Sequence, residues 1–357
     1  MRTHLYRAGS GLEPLSRAFR LSIALASLVL LAASCSRAPE APRTDGDADG
    51  PLVVYAYDSF TAEWGPGPAL AALYEKRTGR KLELVSKGDA GQVLAAALLE
   101  KGAPAADVYL GIDDRLAPRA FAAGVLEPYR PDGSARVPAE LVMDAEWRLT
   151  PYDWGAFAVI WDSERLAVPP ASLAELAAPE FRKKLILMDA RTSTPGLGFA
   201  AWTLGVYGEE GLAGYWRDLK GSVLTVAPGW DLGYGLFTAG EAPLVLSYTT
   251  SPAYHVEYEG TARYKALVFP EGHPWQIEGA GIAKGTRRPA AAREFIELLL
   301  DPEFQALIPT TQWMYPVVPD TPLPASFEAA PKPGRSPAVE PGVLERALDT
   351  IAAELAS

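Results

Sequence analysis

The sequence predicts an α/β protein of two lobes with a cleft between them and a hinge, and three observations carry that expectation. From Leu52 onward short apolar strands alternate with amphipathic helices. The same theme begins again in the middle of the chain. A late segment is then placed to return to the first unit. Alternating strands and helices argue for a largely parallel sheet with helices on both faces. The length of 357 residues allows two such domains.

In chain order, "LVVYAY" (52–57) reads as a strand and "PALAALYEKRTG" (68–79) as a helix stopped by Gly79. "KLELV" (81–85) and "GQVLAAALLEKG" (91–102) repeat the pair, and "DVYLG" (107–111) precedes a helical "RLAPRAFAAG". The second unit offers strands at "GAFAVIW" (155–161), "KLILM" (184–188), "SVLTV" (222–226) and "PLVLS" (243–247). Helical segments "GLGFAAWTLGVYG" and "EGLAGYWRDLKG" lie among them. "YKALVFP" and "QIEGAGIAK" lead to a helix over 289–301, and a Pro-rich span, 319–341, reads as a linker or wrapping loop. Leu344, Leu348, Ile351 and Leu355 mark one face of a closing helix at a 3.6-residue period. The expected divisions are 51–153 plus 271–357 for lobe 1 and 154–270 for lobe 2.

Ahead of the fold, Arg2, Arg7, Arg17 and Arg20 precede the apolar run "LSIALASLVLLAA". A basic region, an apolar run of that length and small residues at its exit describe an export signal, expected over 1–34. The run is short for a membrane-spanning helix. The single cysteine, Cys35, follows "LAAS", which is similar to a bacterial lipobox, and cannot form an intrachain disulfide. The expectation is a lipidated Cys35 at the mature N-terminus of an exported, periplasmic or cell-surface lipoprotein. The alternative is a soluble periplasmic protein cleaved nearby, with Cys35 incidental. Residues 35–50, rich in Pro, Gly and Asp, read as a flexible tether.

Removing the four arginines and one glutamate of residues 1–34 from a net charge of −11 leaves −14. So acidic a chain is unsuited to nucleic-acid phosphates and better suited to a cationic ligand. Beyond the signal only His255 and His273 remain, with no HExxH or CxxC spacing. No GxSxG, Walker loop or GxGxxG after a strand is present, so no metal site, no cofactor and no enzyme activity are expected. Asp113–Asp114 reads as a helix cap or solvated turn before a metal site.

The strand-to-helix junctions carry the chemistry, because ligands of open α/β sheets bind beyond the carboxyl ends of the strands. "TSTPGLG" and "TTSPAYH" each place three hydroxyl residues before a proline that opens a helix. Thr194 and Ser251 are the expected N-caps, with Ser193 and Thr250 as spare hydroxyls beside a helix N-terminus, a site for a phosphate or another electron-rich group. Other junctions bring Tyr57, Asp58 and Trp64, then Asp89, then Trp230 and Tyr234, then Trp313 and Tyr315. Aromatics on polar turns favour stacking and cation–π contact. With the carboxylates they point to a flat, cationic, heteroaromatic ligand.

The strings "YAYDSFTAEWGPGPAL", "ADVYLGIDD", "RTSTPGLG", "PLVLSYTTSPAYH" and "WMYPV" resemble the thiamine-binding substrate-binding proteins of bacterial ABC importers, from about Leu52 to Val318. The resemblance implies a type II periplasmic-binding-protein fold, capture of thiamine, its monophosphate or its diphosphate, and delivery to a permease with its ATPase; a monomer is expected. It implies ligand contacts at Asp89 and Ala90, Ser193 and Thr194, Trp230, and Tyr248, Thr249, Thr250 and Ser251. Tyr57, Asp58, Trp64 and Trp313 follow from their junctions. Ala90 departs from the family's usual glycine, and its methyl narrows the backbone's approach to a ligand. The alternatives are the same fold carrying ferric ion or an organophosphonate, or a secreted enzyme acting on a thiamine-like compound. Ferric capture would favour adjacent tyrosines, which Tyr248 lacks.

Overall fold

The computed structural model describes residues 50–357, a single compact unit. The export segment, Cys35 and the tether up to residue 49 lie outside the described residues. Among those described, no helix is long and apolar enough to cross a membrane.

Strands β1 (Leu52–Ala56), β2 (Leu82–Ser86) and β3 (Val108–Asp113) alternate with helices α1 (Asp58–Thr61), α2 (Pro66–Thr78), α3 (Ala90–Leu99) and α4 (Ala117–Ala123). After the short β4 (Leu126–Glu127) comes β5 (Thr150–Asp162), the longest strand. The second unit holds α5 (Leu173–Leu176), β6 (Leu185–Met188), α6 (Thr194–Leu219), β7 (Val223–Ala227), α7 (Trp230–Thr238), β8 (Leu244–Tyr248), α8 (Ser251–Tyr254) and β9 (Tyr264–Ala266). The chain returns through β10 (Trp275–Ala283), α9 (Pro289–Leu299), α10 (Pro302–Gln305), α11 (Ile308–Thr311) and β11 (Tyr315–Pro316), and ends in α12 (Pro341–Ala356). Gly208, at φ 65°, interrupts α6, which separates the two helical segments that the sequence suggests.

One continuous sheet runs β2-β1-β3-β10-β5-β8-β6-β7. The outer strands of each lobe are parallel to their neighbours, as the alternation predicts. The centre is antiparallel, which the alternation does not predict. There β10 pairs with β3 and β5, and β5 with β8. The reason is topological. The first half of β5 pairs with β10 and its second half, from Phe157, with β8. One strand thus serves both lobes, and β10 carries the chain back. The crossings fall between Ala156 and Phe157 and just before Trp275.

Separate cores fill the lobes. In the first, Leu52, Val54, Phe60, Leu70, Phe295 and Ile296 pack together. In the second, Ile186, Phe199, Trp202, Trp216 and Leu246 do so. The assignment of all of 271–357 to lobe 1 requires correction at its end. Leu344, Ala347 and Ile351 of α12 join the core of lobe 2, and Arg217 of α6 pairs with Glu354 at 2.8 Å. The 319–341 span is the strap that brings it there, held where His273 N–H donates to Gly334 O at 2.8 Å and Ser336 N–H donates to His273 O at 2.9 Å. An apolar stripe on a terminal helix goes where an open apolar surface exists, and α6 supplies one.

Candidate ligand cleft

Three neighbouring parallel strands, β8-β6-β7, end at the same edge of lobe 2, so the helices that follow them begin side by side. This brings Ser193–Thr194, Trp230 and Tyr248–Ser251 together from separate stretches of chain. Both proline-opened helices start one residue earlier than predicted. Ser193 is the N-cap of α6 and Thr250 that of α8, so Thr194 and Ser251 are first helical residues. Neither cap side chain bonds its own helix. Ser193 Oγ, Thr249 Oγ1 and Thr250 Oγ1 are instead buried without a hydrogen-bond partner in the protein. Buried hydroxyls of native folds are seldom left so, and three beside helix N-termini mark a polar site.

The second-lobe wall is otherwise tightly braced. Trp230 Nε1–H donates to Ser247 Oγ at 2.8 Å, and Ser247 Oγ lies 2.8 Å from Ser251 Oγ. The Trp230 ring stacks on Tyr234 at 4.9 Å and 18°. Tyr234 Oη in turn meets His255 Nε2 at 2.8 Å, and His255 Nδ1 meets Glu259 at 2.8 Å. Both histidines are thus used in hydrogen bonding, His273 through Nδ1 to Phe157 O at 2.6 Å. Among the described residues no cluster of potential ligands could hold a metal ion.

Asp89 reaches this wall from lobe 1. It caps α3 in a capping box, accepting from Ala90 N–H at 2.7 Å while its own N–H donates to Gln92 Oε1 at 2.7 Å. Its carboxylate also faces the Ser193 hydroxyl and the backbone N–H groups of Trp230 and Thr194. Three helix N-termini therefore converge on one carboxylate. Burial pushes its carboxyl up and these donors pull it down, with burial the larger effect. The lobes touch here. A Cβ on Gly91 would lie 3.1 Å from Thr192 O, and one on Gly229 3.4 Å from Asp89 Oδ2. Ala90 is buried as the first residue of α3.

The floor comes from the crossing strands. Tyr57 Oη–H donates to Glu278 Oε2 at 2.8 Å, and Gln276 Nε2 donates to Glu278 Oε1 at 2.7 Å. Tyr152 adds a 3.2 Å bond, and Gln312 donates to both Glu278 and Tyr57. Tyr248 stacks on Phe157 at 5.1 Å and donates to Gln276 Oε1 at 2.8 Å. Burial pushes Glu278 up to about 7. It pushes Asp113 up to about 8, with Asp114 adding to the rise, and lifts Asp153 well above the carboxylate range, with Glu278 adding to the rise.

The rim holds Trp313, at φ 58°, a left-handed backbone that non-glycine residues adopt rarely and often at functional sites. Its ring meets Tyr254 edge-on at 5.5 Å and stacks on Phe327 at 6.2 Å. Asp58 accepts from Ser86 Oγ. Burial, with Asp58 and Asp89 nearby, pushes Asp231 of α7 up to about 6, which places Asp58 opposite lobe 2. Trp64 is 54% exposed. Reading junctions alone misses Tyr152, Tyr254, Gln276, Glu278 and Gln312. The signal available for Glu278 is a charge inside the apolar strand "QIEGAGIA".

A family model described as bacterial extracellular solute-binding protein matches residues 103–338. A thiamine-binding periplasmic protein of Brucella abortus is 46% identical over 293 residues, covering 81% of this chain and 86% of the relative. This chain belongs to the thiamine-binding periplasmic protein family. A solved periplasmic thiamin binding protein, 37% identical, superposes with a TM-score of 0.79 over 85% of this chain and 96% of that one. The ferric ion-binding protein A of Pasteurella haemolytica, 18% identical, superposes at 0.71 over 86% and 98%, and shares the fold. The type II periplasmic-binding-protein fold is thereby established for this family member, and its family consists of solute-binding proteins.

Proposed function

We propose that this chain is the extracytoplasmic binding component of an ABC importer, and that it captures thiamine or a thiamine phosphate ester for a permease and its ATPase. The observation that carries the reading is the convergence of three helix N-termini and the Ser193 hydroxyl on Asp89, with the buried hydroxyls of Thr249 and Thr250 unpartnered on the same lobe 2 edge. Such a focus suits the tail of the ligand. A hydroxyethyl group donates to Asp89 while accepting from helix N–H groups. Asp89, its carboxyl raised by burial, can take up a proton and so accompany a phosphate. The thiazolium and aminopyrimidine suit the aromatic surfaces of Tyr57, Trp230, Tyr248 and Trp313 and the anionic floor.

Calorimetric titration of ligand-stripped mature protein tests the proposal, with thiamine, its monophosphate and its diphosphate in turn and ferric citrate as control. One-to-one binding of a thiamine form is expected. Trp230→Ala should weaken it at least about tenfold, because a stacked aromatic contributes about 1 kcal/mol beyond its area. Ferric binding without thiamine binding would overturn the reading. We further propose that lipidation of Cys35 anchors the protein. Labelled palmitate should enter the wild type and not Cys35→Ser, and equal labelling of the two would sink that part.

A further inference from the structure

The floor of the cleft holds more acidic groups than its hydrogen bonds and cations can keep ionised. Glu278 of β10 lies in register with Asp113 of β3 on one side and Asp153 of β5 on the other. Three carboxylates therefore stand in a row across the strands that join the lobes. All are buried, and Asp113 and Asp153 are 0% exposed. Neither oxygen of Asp153 receives a donor, nor does Asp113 Oδ2. The cation that reaches the row is Arg115, which binds Asp114 at 3.0 Å and stays 4.0 Å from Asp113. Buried carboxylates this close hold protons or a cation, because the interior screens their repulsion poorly.

Glu278 is the member of the row in touch with the ligand side. Its partner Gln276 also lies 3.5 Å from Thr194 Oγ1 across the cleft, and its partner Tyr57 belongs to the first-lobe wall. We propose that Glu278, flanked by Asp113 and Asp153, selects a ligand bearing a cationic ring, and that capture of the cation expels a proton from the row. The inference rests on the thiamine reading and assigns the row to the thiazolium rather than to the pyrimidine or the tail. The one bond that changes is O–H. A carboxyl of the row gives its proton to the solvent as the permanently charged ring enters.

The groups facing Glu278 allow this direction of proton flow. Tyr57 and Tyr152 stay neutral, because burial lifts both well above their ordinary range. Beyond Asp113 and Asp153 lie Asp114 and Arg115, and across the cleft Asp89 and Tyr248. The carboxyls are raised, so the ligand-free row is protonated in part near neutrality, and a cation favours the ionised form. Affinity for the cation should therefore rise with pH between about 6 and 8.

The test titrates the mature protein with thiamine and with its neutral isostere, in which a thiophene replaces the thiazolium. In Glu278→Gln, confirmed as folded by circular dichroism, thiamine affinity should fall at least about tenfold and that of the isostere by less than about threefold. The wild type should release protons on binding thiamine and none on binding the isostere, read from the binding enthalpy in phosphate against Tris buffer. This second measurement needs no variant, so it decides the matter if Glu278→Gln does not fold. Equal losses for both ligands, or thiamine binding without proton release, would overturn the inference and leave the thiamine reading standing. Failure of the folded wild type to bind either ligand would overturn both.

Discussion

At the scale of single residues, the second-lobe hydroxyls separate a structural role from a binding one. The Ser193 and Thr250 hydroxyls are both buried; Thr250 Oγ1 makes no hydrogen bond within the protein, and Ser193 Oγ has only the Asp89 carboxylate opposite it. A residue that held the fold through its hydroxyl would destabilise it on removal by about 1 kcal/mol. Here Ser193→Ala and Thr250→Val should leave the ligand-free midpoint of thermal unfolding unchanged or slightly raised. Affinity for a thiamine phosphate should fall several-fold in each, since a buried donor lost to a charged oxygen costs more than one lost to water. A large drop in stability with unchanged affinity would show that these hydroxyls serve the fold. These positions are legible in the sequence as hydroxyl–proline phrases. That the caps begin one residue early, and that their side chains turn away from their own helices, is not. The direction of a short side chain depends on what lies opposite, and for Ser193 that is Asp89, more than 100 residues earlier in the chain.

At the scale of elements, α12 is the clearest case of pattern without placement. Its apolar stripe is periodic in sequence and is buried as the period requires, with Leu344 and Ile351 almost inaccessible. Its partner could not be read from the pattern, which gives a face but no direction, and the helix crosses to lobe 2. Ile351→Ala should cost about 2–4 kcal/mol of lobe 2 stability. Hydrogen exchange should show the loss in α6 and β6 before α2 or β1. Loss of protection centred on lobe 1 would contradict the packing described here. β5 illustrates the opposite failure. Its apolar second half, "GAFAVIW", is recognisable, whereas its first half carries Pro151 and Asp153 and does not resemble a strand interior. This half lies between β10 and the two-residue β11, and Asp153 meets Glu278 there.

At the scale of the whole molecule, the buried carboxylate row links the hinge to pH. Asp113 and Glu278 are raised above their unfolded values, to about 8 and about 7. These two carboxyls therefore bind more protons in the folded than in the unfolded state between roughly pH 4 and 8, so their contribution to stability is greatest at the low end of that window and falls as pH rises through it, while the lowered His255 and His273 act the opposite way below about pH 6.5. Chemical denaturation of ligand-free protein at pH 6.5, 7.25 and 8 should show this decline, and Glu278→Gln should flatten it. A stability that climbs from pH 6.5 to 8, with the same slope in Glu278→Gln, would mean that the row is ionised and compensated in the ligand-free fold. Sequence alone determined the alternating α/β architecture, the two units, the hydroxyl-capped helices and the aromatic junctions, because each rests on local periodicity or on residues adjacent in the chain. Tertiary structure alone decided that α6 and α7, following β6 and β7, begin at Asp89, the cap of α3, that α12 belongs to lobe 2, and that Asp113, Glu278 and Asp153 stand in one row. Strand order and register bring together residues more than 100 positions apart, and no local pattern encodes which strands become neighbours.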